Sequence, residues 1–428
     1  MSAFLKGTKP SRSNALSTGL KVVAATASIL LLASCAGTPA EETPSASAAA
    51  GRAADGVLTI GTILPQTGSL AFLGPPEFAG VDLAAAEIKA SDFSYDVNVI
   101  NRDSGDGETD IATQSATELI GLDTDVVIGA ASSGVSFTFI DQMIAAGVVQ
   151  ISPANTSPDF SAYADDGWYW RTAPSDVLQG RVLGNLMVGD GNENIGIIYI
   201  NDPYGIGLTD NATTAIEAAG GTVTAALPYN PGDTQFTTIV NELLASGPDA
   251  VAVIAFQETV SIIPELVNTQ GFSGSKVYFV DGNLSNSYEF PAGTLEGAKG
   301  TLPGNFASAE FQARLLEVNP ALTDFSYSAE AYDAVILAAL AAEQGGSDDP
   351  TTIRDNLKTV SEGGTKCTVF ADCLALLKSG EDIDYDGASG PITFDDNGDP
   401  TEAYIGIYQY GADNKYTALN AEFGSLAE

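Results

Sequence analysis

Val57-Leu58-Thr59-Ile60-Gly61-Thr62-Ile63-Leu64 is the stretch on which the fold turns. Its apolar and β-branched residues run on without polar alternation, as in a strand covered on both faces. A Pro/Gly loop follows, and then 78–90, where Phe78, Val81, Leu83, Ala84 and Ile88 recur at a spacing that gives a helix one buried face. A covered strand leading into a one-faced helix is the unit of an α/β domain.

The same alternation continues outward. Strands are expected at 95–100, 125–129 and 148–152, with helices at 110–120 and 136–146. A second series has strands at 195–200, 222–227, 250–255 and 276–280 and helices at 208–219, 235–245 and 260–269. Two such series predict an α/β fold of two doubly wound parallel-sheet lobes. The end of the chain departs from this rhythm. Ala-rich 328–343 and 352–360 read as helices, and 404–410 alternates aromatic and small residues like a strand.

Ahead of the first strand lies a leader. Lys6, Lys9, Arg12 and Lys21 precede the apolar run 22–32, which is too short to span a bilayer comfortably, and Leu32-Ala33-Ser34-Cys35 closes it. A basic segment, a short apolar run and small residues describe a secretory signal over 1–34. The alternative is an ordinary signal with a chance cysteine. Residues 35–55, rich in Ala, Pro, Ser, Thr and Glu, read as a flexible tether.

Composition removes several functions. The chain has 428 residues, which suits two domains. It carries 17 basic and 55 acidic residues, a net charge of −38, and loss of the basic leader makes the remainder more acidic still. No basic footprint for nucleic acid exists. Such acidity suits solubility or salty surroundings. With no histidine anywhere, Ser-His-Asp and Cys-His catalysis and His-ligated zinc fall away. Cys367 and Cys373 lie close together, as a disulfide in an oxidising compartment or as a free pair. Neither a metal nor a cofactor is called for.

Six segments, in order, carry a resemblance. They are Ile60-Gly61-Thr62-Ile63-Leu64-Pro65-Gln66-Thr67-Gly68, 127–134 (VIGAASSG), 151–156 (ISPANT), 201–205 (NDPYG), 331–335 (AYDAV) and 387–394 (GASGPITF). Together they resemble the type I periplasmic binding proteins of the branched-chain amino acid class, over roughly 56–410. The leader ending at Cys35 resembles the lipobox of bacterial lipoproteins, which implies a lipidated Cys35 anchored to the membrane.

The resemblance implies two lobes joined by three crossings, near 173–176, 303–306 and 388–393, with a ligand cleft between them. Lobe 1 would hold 56–174 and 305–390, and lobe 2 would hold 175–304 and 391–428. It implies an amino acid ligand, branched-chain or other aliphatic, delivered to the permease of an ABC importer. It also implies the contacts. Ser133 and Thr156 would meet the carboxylate, the Ala154 carbonyl and Asp281 the ammonium, and Tyr204 would close over the ligand. Phe72, Leu73, Phe256 and Tyr332 would line the side-chain pocket. Each has a plainer reading: Ser133 as a helix cap, Asp281 as an Asp-Gly turn residue, Tyr204 as a rim residue and the others as core. Where the family commonly has glutamate, this chain has the shorter Asp281.

Three motifs mislead. Asp382-x-Asp384-x-Asp386-Gly387 opens like a calcium loop, but position twelve is Thr393, not glutamate. Ser273-x-x-Lys276 lacks the partner motifs of penicillin-binding enzymes, and Gly205-x-Gly207 lacks a third glycine in phase. A secreted hydrolase is therefore set aside. The same fold around urea, a short amide or an aromatic acid stays open, as does a ligand-sensing subunit of a receptor.

Overall fold

Residues 52–426 are described in the computed structural model; the expected signal, Cys35 and most of the expected tether lie outside them. Where the described chain begins it is already docked. Arg52 donates to the carbonyl oxygens of Thr124 and Ile120, and the Gly56 amide donates to Asp348 at 2.7 Å.

The decisive stretch is β1 (Val57–Leu64), buried throughout after its first residue. It pairs in parallel with β2 (Asp96–Asp103) on one side and β3 (Val126–Gly129) on the other. β4 (Val149–Ser152) and β5 (Tyr169–Arg171) complete a five-stranded sheet in the order β2-β1-β3-β4-β5. Helices α1 (Gly74–Lys89), α2 (Ile111–Gly121) and α3 (Ser133–Ala146) connect its strands. The edge strand β2 is half-exposed, whereas β3 and β4 are buried throughout, as strands flanked on both sides must be.

The second series forms β6 (Asn194–Ile200), α5 (Pro203–Ala218), β7 (Thr222–Tyr229), α6 (Thr237–Ala245), β8 (Ala250–Ile254), α7 (Thr259–Ile263) and β9 (Val277–Phe279); α4 (Asp176–Gly189) before it and β10 (Lys299–Pro303) after it are additions to the expected series. The helix expected over 260–269 changes character at Pro264, which offers no N–H, and continues as a π-helical turn over Pro264–Thr269. Next come α8 (Ala309–Val318), α9 (Ser328–Gly345), α10 (Pro350–Asn356), β11 (Thr365–Cys367), α11 (Phe370–Ser379) and β12 (Ile383–Tyr385). Cys367 and Cys373 are bonded to each other, and β11 pairs with β12 in a small ribbon. The chain ends in β13 (Glu402–Tyr410) and β14 (Tyr416–Ser425), which join the second sheet in the order β14-β13-β10-β9-β8-β6-β7. Both new pairings, β10 with β13 and β13 with β14, are antiparallel, so this sheet is mixed where a wholly parallel one was expected.

The chain passes between the two sheets after β5, after β10 and after β12. The first turns of α9 touch all three passages. Thr172 donates its hydroxyl to the Glu330 carbonyl at 2.8 Å. Gly304, at φ +91°, lies so close to Glu330 that a Cβ there would sit 2.0 Å from its carboxylate. The amides of Ala388 and Ser389 donate to Asp333 at 2.9 and 2.8 Å. α9 itself is buried along nearly its whole length, which its alanines permit by letting neighbours approach closely.

A buried ion pair ties the third passage to the first sheet. Arg171 donates to both oxygens of Asp399, at 2.6 and 2.9 Å, and to the carbonyl of Ser157 at 2.8 Å. Both side chains are essentially without exposure. Removing one partner would strand the other charge. Asp399→Ala is therefore expected to cost about 3–5 kcal/mol in urea unfolding; a loss under about 1 kcal/mol would mean that the pair is solvated.

Candidate functional site

Strands of both sheets end at one place between the lobes, where open α/β sheets put their ligand sites. There Leu70, Leu73, Ala131, Ser132, Ser133 and Ala154 from the first lobe face Tyr204, Phe256, Asp281 and Gly282 from the second, with Tyr327 closing the side. The free volume of this inner chamber is about 10 Å³, on the order of one water.

Asp281 is the centre of the chamber. It follows β9 and opens a tight turn that Asn283 pins. The Asn283 side chain accepts from the Val280 amide at 2.9 Å and donates to the Val253 carbonyl at 2.8 Å. The Asp281 carboxylate then accepts three hydrogen bonds. Gln179 of α4 donates at 2.9 Å and Tyr204 of α5 at 2.7 Å to one oxygen, and Tyr327 donates at 2.7 Å to the other. Tyr204 is set in place by Asp202, which caps α5 by accepting from the Gly205 amide at 2.8 Å. Its ring stacks on Phe256 with centroids 5.4 Å apart. Tyr327 holds a left-handed backbone, φ +58°, rare for a bulky side chain and concentrated at functional positions.

The opposite wall is the start of α3. Ser132 is the helix cap, its hydroxyl accepting from the Val135 amide. The capping alternative for Ser133 thus falls to its neighbour, and Ser133 is the first helical residue, buried in the chamber wall. The first amides of α3 have no helix carbonyl to claim them, and they open where Ser132 and Ser133 line the chamber.

The charge lining the chamber is one-sided. Among the described residues lining the chamber there is no lysine or arginine. Burial pushes the Asp281 carboxyl up, against its three hydrogen bonds, which favour the ionised form. Behind it, at the start of α4, Asp176 is wholly buried, and neither of its oxygens has a hydrogen-bond partner. Burial and then the charge of Asp281 push Asp176 well above the usual carboxylate range. The nearby Thr156 hydroxyl and then the Arg171 charge oppose that rise, and the Gln179 carbonyl oxygen is without a bonded partner. A knot of buried acceptors next to a buried carboxylate needs a donor.

The structure brings Ser133, Ala154, Tyr204, Asp281, Leu73 and Phe256 together, and places three expected residues elsewhere. Tyr332 belongs to the opposite side of α9, where its hydroxyl donates to Glu87 at 2.6 Å and accepts from Arg314 at 3.0 Å. Tyr327, five residues earlier, takes the position expected of it. Phe72 is half-buried against the second-lobe core, and Leu70 and Leu73 line the chamber in its stead. Thr156 sits beside Asp176, behind the wall. Gln179, Asp176 and Tyr327 were not anticipated. Asp176 did carry a signal, since Pro174-Ser175-Asp176 is a helix start and Gln179 falls one turn on, on the same face.

An outer cavity of about 460 Å³ adjoins the chamber and shares Leu70, Ser132 and Phe256 with it. It too is walled by both lobes, with Asp106 and Glu108 on one side and Asp202 and Glu258 on the other. The calcium-like segment is not a cluster of free carboxylates, since Lys366 bridges Asp384 and Asp386. No group of three or more metal-ligating side chains occurs among the described residues, and none of their helices is long and apolar enough to cross a membrane.

A two-lobed α/β body with a site between its lobes defines a solute-binding architecture. The sequence profile of the periplasmic binding protein family matches residues 57–415. The chain belongs to that family, in its type I, branched-chain amino acid branch. It is 28% identical to a chemotactic signal transduction system substrate-binding protein of Halobacterium salinarum, over 81% of this chain and 86% of that one. It is 27% identical to a Leu/Ile/Val-binding protein homologue of Brucella abortus, over 84% and 92%. In fold it is similar to a leucine-binding protein of Thermotoga maritima, with a TM-score of 0.70 and 19% identity over 85% of this chain and 98% of that one. A solute-binding protein from R. palustris in complex with benzoate also matches, with a TM-score of 0.69 and 17% identity over 87% and 98%. The protein is a solute-binding protein and not an enzyme, and its family places it outside the cytoplasm.

The buried acids make stability fall as pH rises. Burial raises Asp165 and Asp202 to about 6, Asp125 to about 7 and Glu330 to about 8. Across roughly pH 4–8 the folded state thus holds protons that the unfolded chain, with acids near 4, has released. Acids held low, such as Asp103 and Asp349, are ionised in both states above about pH 5. The ligand-free protein is expected to melt higher at pH 5 than at pH 8 in scanning calorimetry; the reverse order would show that these groups are solvated.

Proposed function

We propose that the protein captures an aliphatic amino acid between its lobes, for delivery to the permease of an ABC importer. The carrying observation is the paired need at Asp281 and Asp176. A buried carboxylate with three neutral donors and no cation lining its chamber, next to unpartnered acceptors, calls for a positively charged donor group. An α-ammonium supplies both the charge and three N–H bonds.

The rest of a zwitterion fits the remaining walls. Its carboxylate would meet Ser133 and the first amides of α3, with Thr156 behind them. Its ammonium would lie against Asp281 and the Ala154 carbonyl. Leu70, Leu73, Phe256 and the face of Tyr204 would take an apolar side chain. Relatives support this class, including the Leu/Ile/Val-binding homologues and a fold neighbour from Streptococcus pneumoniae in complex with isoleucine. Fold neighbours in complex with benzoate and 4-hydroxybenzoate are equally similar in shape. An aromatic acid, however, would bring a second negative charge to Asp281 with nothing to offset it.

The inner chamber is too small for such a ligand, so uptake requires the lobes to part and close again. Ligand held from both sides then favours the closed form by its differential affinity for the two states. A lipid on Cys35 would keep this cycle beside the membrane, where the effective concentration at a permease is high. The resemblance to a chemotaxis substrate-binding protein supports a second reading, in which closure is read by a receptor.

Two experiments test this. Thermal shifts with leucine, isoleucine, valine, urea, short amides and benzoate should show stabilisation by the aliphatic amino acids. Stabilisation by benzoate or urea alone would replace the ligand class. Asp281→Asn should cost about 2–5 kcal/mol of amino acid affinity, roughly 30-fold or more in Kd; an unchanged Kd would remove Asp281 from the site. For the anchor, Cys35→Ser should move the protein from the membrane to the soluble fraction, and retention at the membrane would contradict it.

A further inference from the structure

A second chamber lies on the far side of Tyr327. Its volume is about 270 Å³, and Tyr327 lines both it and the inner chamber. Leu302, Pro303 and Tyr408 line it from the second lobe, and Ala329 and Glu330 from α9 of the first. Phe306 comes from the second passage between the sheets.

Its chemistry is specific. Phe306 and Tyr416 both meet Tyr408 edge-to-face, with centroids 5.2 Å apart in each pair. Two carboxylates join these rings. Asp324 is satisfied, accepting from Ser326 and, at 3.0 Å, from Tyr416. Glu330 is 3% exposed, and the donor its carboxyl has is its own backbone amide, with no cation beside it among the chamber's lining residues. Burial, then Glu330, then Asp324 push the Tyr408 phenol up, so both acids bear on that ring. No lysine or arginine is among the described residues that line the chamber.

We infer that this hinge-side chamber binds a small organic cation, seated against Phe306, Tyr408 and Tyr416 and paired with Glu330. An anion would meet two carboxylates and no base. A neutral apolar molecule would leave the Glu330 carboxyl no partner beyond its own amide. An alkylammonium ion satisfies both, as a cation for the ring faces and as the charge that lets Glu330 give up the proton burial holds on it. The chamber is built from both lobes and shares Tyr327 with the first site, so its occupant biases the same lobe equilibrium. Cation and amino acid then change each other's affinity by one common factor.

The full-length protein without amino acid would be titrated with methylammonium, tetramethylammonium and choline. Sodium chloride and the neutral choline isostere 3,3-dimethyl-1-butanol serve as controls, and melting temperature and saturation-transfer NMR as readouts. At least one cation should raise the melting temperature above both controls. Its binding should weaken tenfold or more in Glu330→Gln and in Tyr408→Leu, and the leucine Kd should change at least threefold when it is saturating. If Glu330→Gln does not fold, Tyr408→Leu decides. Indistinguishable responses to all three cations and the controls would overturn the inference, as would cation binding untouched by Tyr408→Leu. Neither result bears on amino acid binding, which is measured separately.

Discussion

A carboxylate buried between the lobes, with no cation beside it, is the constraint around which this molecule is arranged. Asp281 is held by Gln179, Tyr204 and Tyr327, which come from three different helices or their approaches. Those bonds favour its ionised form while burial opposes it, and Asp176 behind it adds a second acid with no bonded partner. The nearby buried arginine, Arg171, is committed to Asp399. An interior left unbalanced in this way is costly in isolation. In a binding protein the imbalance is useful, because the missing charge can arrive with the ligand.

The same side chains explain how occupancy could be felt by the whole body. Tyr327 precedes α9 directly, and the first turns of α9 hold Thr172, Gly304 and the Ala388–Ser389 amides, one from each passage between the sheets. A shift at the Tyr327 hydroxyl is therefore mechanically close to every strand of the hinge. Coupling of this kind needs a discrete two-state element and not a continuous wire; the pair of lobes is such an element.

Much of the frame was legible from periodicity. β1, β3, β4, β6 and β8 are covered strands, and their uninterrupted apolar runs announced them. β5 was missed because three residues carry no period, and β14 because it is largely exposed and its pattern is diluted. Within the site, Asp281, Tyr204 and Ser133 were readable because each stands at a strand-to-helix junction with a turn signal beside it. Tyr332 was misplaced for a conformational reason. Tyr327 stands just ahead of α9 on a left-handed backbone that turns it to the chamber, whereas Tyr332 lies within the helix and packs against Glu87 and Arg314. Asp176 was unreadable as an unpartnered acid, since that property depends on what burial leaves beside it.

Balance of the buried acids by a ligand ammonium is tested most directly by calorimetric titration with leucine and with 4-methylpentanoate. The latter keeps leucine's carboxylate and carbon chain and lacks its amine. Heat and saturation are expected with leucine, and no detectable binding of 4-methylpentanoate under the same conditions. Comparable affinity for both would contradict it.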